Sequence, residues 1–462
     1  MLYKFSKQLP LKALLRALLV GAAVAGLSLP TLAQNSTLLG TELTVLGSNP
    51  KASKDGMIPA WTGGITKPPA GYQKGGDHID PYANDNVLFT ITAANMDKYA
   101  DRLAPGIQAL LKKYPNNFKM PVYPSRRSCA LPEFVYEETR KNADRAKLVE
   151  DGNDIANARV GVPFPVPQSP VEIYWNHNFH YHGHRLNAQT VGGTIYPNGN
   201  WTRVSRHDKR YNFYADPQAS FADIGNKQFY WMGTWSAPAR FNGMGFTMVN
   251  TINQVEKPRY GFFFRPDQRK VVRSTPAATT HDGPLSTSNG LRNNNNMFVF
   301  SGSPDRFNWT LKGKRELYVP YNAYKASNTE VDAKQLLKPY APNPDFLRYE
   351  LHRVWEIEAV GKPKTNPAFQ KRVFYADEDS WIFLHSDLYD KNDSLVRVHQ
   401  AFTKNYYETP ACVFEFDVIY DLASGMYNID HAKFEDGPAN LDDPDIDKRI
   451  FGSSALRRAV SR

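Results

Sequence analysis

The rhythm of apolar and polar positions changes three times along this chain. A single unbroken apolar run, Ala17 to Leu29, lies near the N-terminus. Residues 34–90 then show no period, because Gly56, Pro59, Gly63, Gly64, Pro68, Pro69 and Gly71 interrupt too densely for long regular elements. Over Thr92–Tyr114 the residues Met96, Tyr99, Ala100, Leu103, Ile107, Leu110 and Leu111 keep roughly helical spacing, with a break expected at Pro105. A second helix is predicted over Pro132–Val149, opening on a proline suited to a first helical turn. Residues 161–167 alternate with Pro163, Pro165 and Pro167 and read as an extended connector, since each residue before a proline is pushed out of the helical region.

Beyond about residue 170 the pattern turns to short aromatic or β-branched runs bounded by Gly, Pro, Asn or Asp. Strands are predicted at Val171–Trp175, Gly193–Tyr196, Arg210–Tyr214, Gln228–Met232, Gly245–Asn250 and Arg259–Phe264. Arg265–Gln268 makes a hairpin turn into Lys270–Arg273. Further strands are expected at Asn308–Leu311, Glu316–Tyr321, Arg348–Val360, Lys371–Tyr375, Trp381–Ser386, Leu395–Gln400, Val413–Tyr420 and Met426–Ile429. Many links are short, so a meandering antiparallel sheet is the economical arrangement, and no strand–helix alternation points to a doubly wound fold. The expected organisation is a leader at 1–33, an irregular and helical region at 34–160, an antiparallel sheet at 161–430 and a tail at 431–462.

The first apolar run is the mark of export. Lys4, Lys7, Lys12 and Arg16 precede it, no acidic residue occurs before Glu42, Pro30 ends it, and Thr31-Leu32-Ala33 supplies a cleavage signal. Cleavage is predicted between Ala33 and Gln34, releasing the mature chain into the periplasm. A membrane anchor is the alternative, but the run falls short of the ~20 residues a spanning helix needs. No later run reaches that length.

Composition refines this only in places. Of 462 residues, 41% are hydrophobic and 22% charged, so a packed core is expected. The net charge of +10 includes the four cations of the leader, and the remainder is scattered, unlike the clustered Lys and Arg of a nucleic-acid groove. The 25 Tyr, 26 Phe and 8 Trp are the composition of a strand-rich protein with abundant aromatic surface to bury. The only cysteines, Cys129 and Cys412, form a disulfide or remain two buried thiols. In an oxidising compartment the bond is the expectation. Closing a loop of roughly 280 residues is worth up to ~5 kcal/mol in the chain-entropy model.

Three clusters could carry chemistry. His177, His180, His182 and His184 could share a strand face at a spacing that chelates a transition metal, or form a polar face around a turn at Gly183. Asp377, Glu378, Asp379, Asp387, Asp390 and Asp393 could hold calcium or act as an acid–base pair, but fall where turns are expected. Glu350, Arg353, Glu356 and Glu358 lie on one alternating strand and fit cross-strand ion pairs. No nucleophile elbow, zinc helix, P-loop or dinucleotide fingerprint occurs. Neither a catalytic residue nor a metal or other cofactor is therefore assigned.

Several segments together resemble a Gram-negative family, domain of unknown function 1329. They are residues 54–64 (through Trp61), Val122–Ser128, Trp175–His177, Lys312–Glu316, Pro320–Asn322, Arg348–Trp355, Tyr375–Trp381 and Tyr389-Asp390. The resemblance implies a periplasmic protein with a fold similar to the LolA/LolB lipoprotein carriers, a large curved, half-open antiparallel sheet with N-terminal helices packed on it. It implies no catalytic residues. It also suggests envelope lipid traffic beside an efflux-type inner-membrane permease and an outer-membrane protein. The expected function is then a non-enzymatic carrier or chaperone for a hydrophobic ligand, a lipid or a lipoprotein acyl chain. Trp175, Trp231, Trp235, Phe262, Phe264 and Trp355 are the candidate ligand wall, each also suited to plain core. The alternatives are an adaptor subunit of an envelope transporter, or a metal-dependent hydrolase using the histidines.

Overall fold

Period-two alternation builds most of this molecule. The computed structural model describes residues 35–274 and 282–460, so the expected leader and its cleavage point at Ala33/Gln34 lie outside the described residues. In chain order the strands are β1 (Phe89–Ile91), β2 (Met120–Val122), β3 (Lys147–Val149), β4 (Asp154–Ala156), β5 (Arg185–Ile195) and β6 (Trp201–Asn212). β7 (Phe229–Ala237), β8 (Gly245–Asn250), β9 (Tyr260–Arg265) and β10 (Lys270–Arg273) follow. The last seven are β11 (Phe307–Pro320), β12 (Tyr349–Gly361), β13 (Lys371–Asp377), β14 (Phe383–Tyr389), β15 (Leu395–Tyr406), β16 (Ala411–Asp421) and β17 (Tyr427–Ala432). Fifteen of them form one open sheet in the order β1-β2-β12-β13-β14-β15-β16-β17-β5-β6-β7-β8-β9-β10, with β11 also paired to β12. The expected large antiparallel sheet is present, and it does not close into a barrel. β3 and β4 make a separate ribbon.

Two meanders meet at its centre. The later one, β11–β17, and the earlier one, β5–β10, join where β17 pairs antiparallel with β5. Helices sit on both faces. Pro105–Lys113 packs on β14 and β15, where the Gly106 N–H donates to Asp387 at 3.1 Å. Pro170–Asn178 packs against β11 and β12, and its His177 ring stacks on Phe383 at 3.8 Å. The break expected at Pro105 is real: a 3-10 helix, Met96–Arg102, ends before it. Segment 431–462 completes β17 and ends in the helix Ser453–Val460, whose buried Leu456 clusters with Tyr211, Phe213, Met232 and Phe264 on one face of β6–β9.

Three local expectations are corrected. Val171–Trp175 is not a strand but part of the helix Pro170–Asn178. Ser169 and Glu172 form a reciprocal capping box and Pro170 occupies the first turn, which outweighs the β-propensity of Ile173, Tyr174 and Trp175. His180, His182 and His184 lie in an irregular segment before β5, so they do not share a strand face. β14 begins at Phe383 rather than Trp381, because Trp381 adopts a φ of 63° at the end of a tight turn. Gly193–Tyr196 and Arg210–Tyr214 are the ends of longer strands, β5 and β6, whose polar residues hid their full length.

Cys129 and Cys412 are bonded, with Cα atoms 5.6 Å apart. The bond ties the extended segment after β2 to β16. Beside it, Gly64 brings the chain so near that a Cβ there would lie 2.2 Å from the Cys129 carbonyl oxygen, so only glycine fits.

Candidate ligand cavity

The inner face of β5–β9 has an unusual residue pattern, aromatic on some strands and charged on others. It forms one wall of a cavity of about 290 Å³, bounded also by segment 285–298 and by residues of β16 and β17. The apolar part comes from Phe229, Trp231 and Trp235 on β7, Phe246 and Met248 on β8, and Phe263 on β9. Strand register sets these side chains in rows: Trp231 opposes Met248, and Phe246 opposes Phe263, whose ring stacks on it at 4.2 Å. Gly233 leaves room for the indole of Trp231, since a Cβ there would come within 2.7 Å of the ring. Phe298 closes the other side, 5.4 Å from Phe414.

The polar part comes from β6, where Arg206, Asp208 and Arg210 all point inward. Asp208 is fully engaged: Oδ1 accepts from Arg206 Nε at 2.6 Å and Trp231 Nε1 at 3.1 Å, and Oδ2 from the Thr190 hydroxyl at 3.0 Å. Arg206 also lies 3.6 Å from Asp430. Arg292 anchors segment 285–298 through Asp417, whose carboxylate also pairs with His431 at 3.2 Å. Lys433 donates to the Phe414 carbonyl at 2.8 Å and pairs with Glu415 at 3.3 Å. Burial drives the Glu415 carboxyl upward, but Lys404 and Lys433 overcome it and hold its pKa down to about 2. Arg210 differs. It is 5% exposed and lies 5.2 Å from the Phe298 ring and 5.7 Å from Phe229, and no carboxylate among the described residues is bonded to it. Burial lowers its pKa to about 10, which leaves it charged at neutral pH.

Three of the four histidines, His177, His180 and His182, are joined in a chain of hydrogen bonds. The Phe383 N–H donates to His177 Nδ1 at 3.0 Å, so His177 donates from Nε2 to the Phe298 carbonyl at 2.8 Å. His180 donates from Nδ1 to the His177 carbonyl, which leaves its Nε2 to accept from His182 Nδ1 at 3.1 Å. His184 stands apart, 3.6 Å from Asp216. Burial keeps His177, His180 and His182 neutral, with His180 lowered to about 4, and the Arg210 charge depresses His182 further.

Of the residues expected to form a ligand wall, Trp231 and Trp235 line the cavity. Phe262 and Phe264 face the C-terminal helix instead, because alternation along β9 directs the intervening Phe263 inward. Trp175 is buried in the main core, donating to the Gly152 carbonyl at 3.0 Å, and Trp355 stacks near Trp381 at 6.3 Å.

The acidic residues divide. Asp390 caps its own turn and Asp393 pairs with Lys371, whereas Asp387 is buried and bonded to His385 at 2.6 Å. Asp377–Asp379 do occupy a turn, but one buried under the N-terminal segment. There Arg127 grips Asp379 with two bonds of 2.6 and 2.8 Å, and Tyr321 and Ser380 donate to Asp377 at 3.1 and 2.6 Å. Glu350 accepts from Asn322 at 2.9 Å and from His352 at 3.0 Å, and Arg348 joins Glu350 to Asp85. Burial and the adjacent Asp379 carboxylate push the Asp377 pKa up to about 6. His352, Asp377 and Asp379 bring one ligand atom each within 4.8 Å, yet Arg127 occupies both oxygens of Asp379, so the cluster is already neutralised by a cation of the protein. The expected cross-strand pairs are present further along, with Arg353 3.8 Å from Glu316, Glu356 3.0 Å from Arg315 and Glu358 3.1 Å from Lys312. Among the described residues no helix is long and apolar enough to cross a membrane.

Residues 90–457 match the family model described as "Protein of unknown function (DUF1329)". An uncharacterized protein of Pseudomonas aeruginosa is 37% identical over 396 residues, covering 86% of each chain. Among solved structures, a DUF1329 family protein of Desulfovibrio piger is similar at 14% identity and a TM-score of 0.42, over 62% of this chain and 96% of that one. A putative outer membrane lipoprotein-sorting protein domain of Vibrio parahaemolyticus is similar at 11% identity and a TM-score of 0.43, over 62% and 97%. A LolA superfamily protein of Nitrosomonas europaea is similar at 12% identity and a TM-score of 0.37, over 63% and 100%. The match over most of the length, together with a relative sharing more than a third of its residues, makes this chain a member of the DUF1329 family.

Proposed function

We propose that this protein is a periplasmic carrier that holds a hydrophobic ligand, a lipid or an acyl chain, in the cavity on the inner face of β5–β9. The observation that supports it is the aromatic wall of Phe229, Trp231, Trp235, Phe246 and Phe263 around a cavity of about 290 Å³. That is close to the lower end of the range, roughly 300–1,000 Å³, in which small-molecule sites fall. Flat rings suit a chain of variable shape, and each methylene moved from water into such a wall gains ~0.8 kcal/mol. No covalent step is needed, and the buried histidines, neutral and bonded to one another, serve to shape the wall. A partner permease and an outer-membrane acceptor fit the same reading as the source and destination of the ligand.

Native mass spectrometry of protein recovered from the periplasm tests this. The expected result is a chain beginning at Gln34 with lipid-sized adducts, and quenching of tryptophan fluorescence when a fatty acyl probe is added. Ligand-free protein that takes up no acyl probe overturns the proposal.

A further inference from the structure

Resting on that carrier reading, we propose that the ligand bears an anionic head group, a carboxylate or a phosphate monoester, and that Arg210 is the residue that binds it. Four Lys or Arg side chains line the cavity: Arg206, Arg210, Arg292 and Lys433. Three have their own carboxylates, Arg206 with Asp208 and Asp430, Arg292 with Asp417, and Lys433 with Glu415. Arg210 has none. Its nearest acid, Asp208, has both oxygens committed to Arg206, Trp231 and Thr190. The neighbouring His182 is neutral, and its Nε2 has no partner. The rings of Phe298 and Phe229 lie over the guanidinium, but a ring engages its face and not its in-plane donors, and the buried Nε has no hydrogen-bond partner. A buried cation without an anion is strongly unfavourable, and a bidentate anion answers both the charge and the donors.

Register gives the ligand a direction. Arg210 opposes Trp231 across β6 and β7, and Trp231 opposes Met248 across β7 and β8. One row therefore runs from a cation to an indole to a thioether, crossing the strands ~4.8 Å at a step. A head group on Arg210 sends its tail along that row, beside the neighbouring row in which Gly233, Phe246 and Phe263 oppose one another. The polar end and the apolar end of one cavity thus match the two ends of a single-chain amphiphile.

The test compares matched pairs of ligands on the purified protein: myristate against myristyl alcohol, and lysophosphatidate against monomyristin. The expected result is tighter binding of the anion in at least one pair, by on the order of ten- to a hundredfold. A preference confined to myristate assigns a carboxylate head, and one confined to lysophosphatidate a phosphate. Arg210→Met should bring that ratio to about one, keep the affinity for the uncharged partner, and melt no lower than the parent, since a lone buried charge has been removed. Arg210→Lys should restore part of the preference. Equal binding of charged and uncharged partners by the unmodified protein overturns the head-group assignment and leaves the carrier reading standing. Failure to bind all four overturns the carrier reading itself.

Discussion

The polar network under the N-terminal segment and the charged floor of the cavity are both made of buried Arg, His and Asp, and they are balanced in opposite ways. In the network each of these arginines meets an acid of the protein, Arg127 with Asp379 and Arg348 with Asp85 and Glu350, and His352 is hydrogen-bonded to Glu350. Segments far apart in sequence, 46–64, 122–129, 320–322, 348–355 and 375–381, are drawn together by those bonds. On the cavity floor the balance stops one carboxylate short, at Arg210. A closed charge set holds the chain to itself, and an open one is suited to holding something else. Most of the segments that carry the family resemblance gather in the closed set, although Trp175–His177 and Tyr389-Asp390 lie outside it.

The largest effect should come from opening the network. Arg127→Ala leaves Asp379 buried without its partner and is expected to cost ~3–5 kcal/mol in chemical denaturation. The folded fraction should keep its affinity for an acyl probe, and a collapse of affinity at unchanged stability would show that the two regions are not separate. Next in size is the disulfide. Cys129 directly follows Ser128 of the network, and Cys412 directly precedes Val413 and Phe414 of the cavity. The double substitution Cys129→Ser, Cys412→Ser should cost ~2–5 kcal/mol in the same assay. Thiol counting on the denatured, unreduced parent should find none reactive.

Acid separates the regions by sign. His177, His180 and His182 have pKa values depressed below the usual 6.5 by burial, so the unfolded chain binds more protons than the folded one below that pH. Their stabilisation is complete above pH 6.5 and declines toward pH 4, by at most ~1.4 kcal/mol per pH unit for each histidine. Asp377 runs the other way. Its pKa is raised to about 6 in the folded protein, so protonation there adds stability as pH falls from 6 toward 3.8. Denaturation at pH 7.5, 6 and 5 should show a net loss, and Asp377→Asn should steepen it. The smallest effect concerns register. Phe263→Ala should weaken an acyl probe by ~1.5 kcal/mol, about tenfold, with little change in melting, whereas Phe264→Ala should lower melting and spare binding. Identical behaviour of the two variants would mean that β9 does not present one face to the cavity.

Much of the sheet was legible as aromatic or β-branched runs bounded by turn residues, as at the hairpin Arg265–Gln268 and in the late strands, of which β13–β16 are largely buried on both faces. β6 was legible only at its end. Its inward positions are Val204, Arg206, Asp208 and Arg210, so the face that is usually apolar is charged and the alternation disappears. The cation that matters most to the proposed ligand was hidden by the same inversion. The helix at Pro170 had a readable signal, Ser169 followed three residues later by Glu172, which the aromatic run Tyr174-Trp175 obscured. For the cavity wall, the aromatic candidates fell on β7 and β9 but also on the helix Pro170–Asn178 and on β12, and only pairing decides whether Phe263 or its neighbours turn inward.

The joint between β17 and β5 also dictates when the molecule can finish folding. Tyr427 pairs with Ile195, so β5 keeps an open edge during synthesis until the last strand, β17, has emerged. Pairings between such distant segments form slowly, and an unpaired edge is a template for association with other chains. The β5–β10 half is exposed to that hazard for the longest time. The yield of folded protein should therefore depend more on Tyr427–Ala432 than on any equally short stretch of the cavity wall. A chain shortened before Tyr427 would present two open edges at once, β5 and β16, and should accumulate as aggregate instead of as a weaker binder.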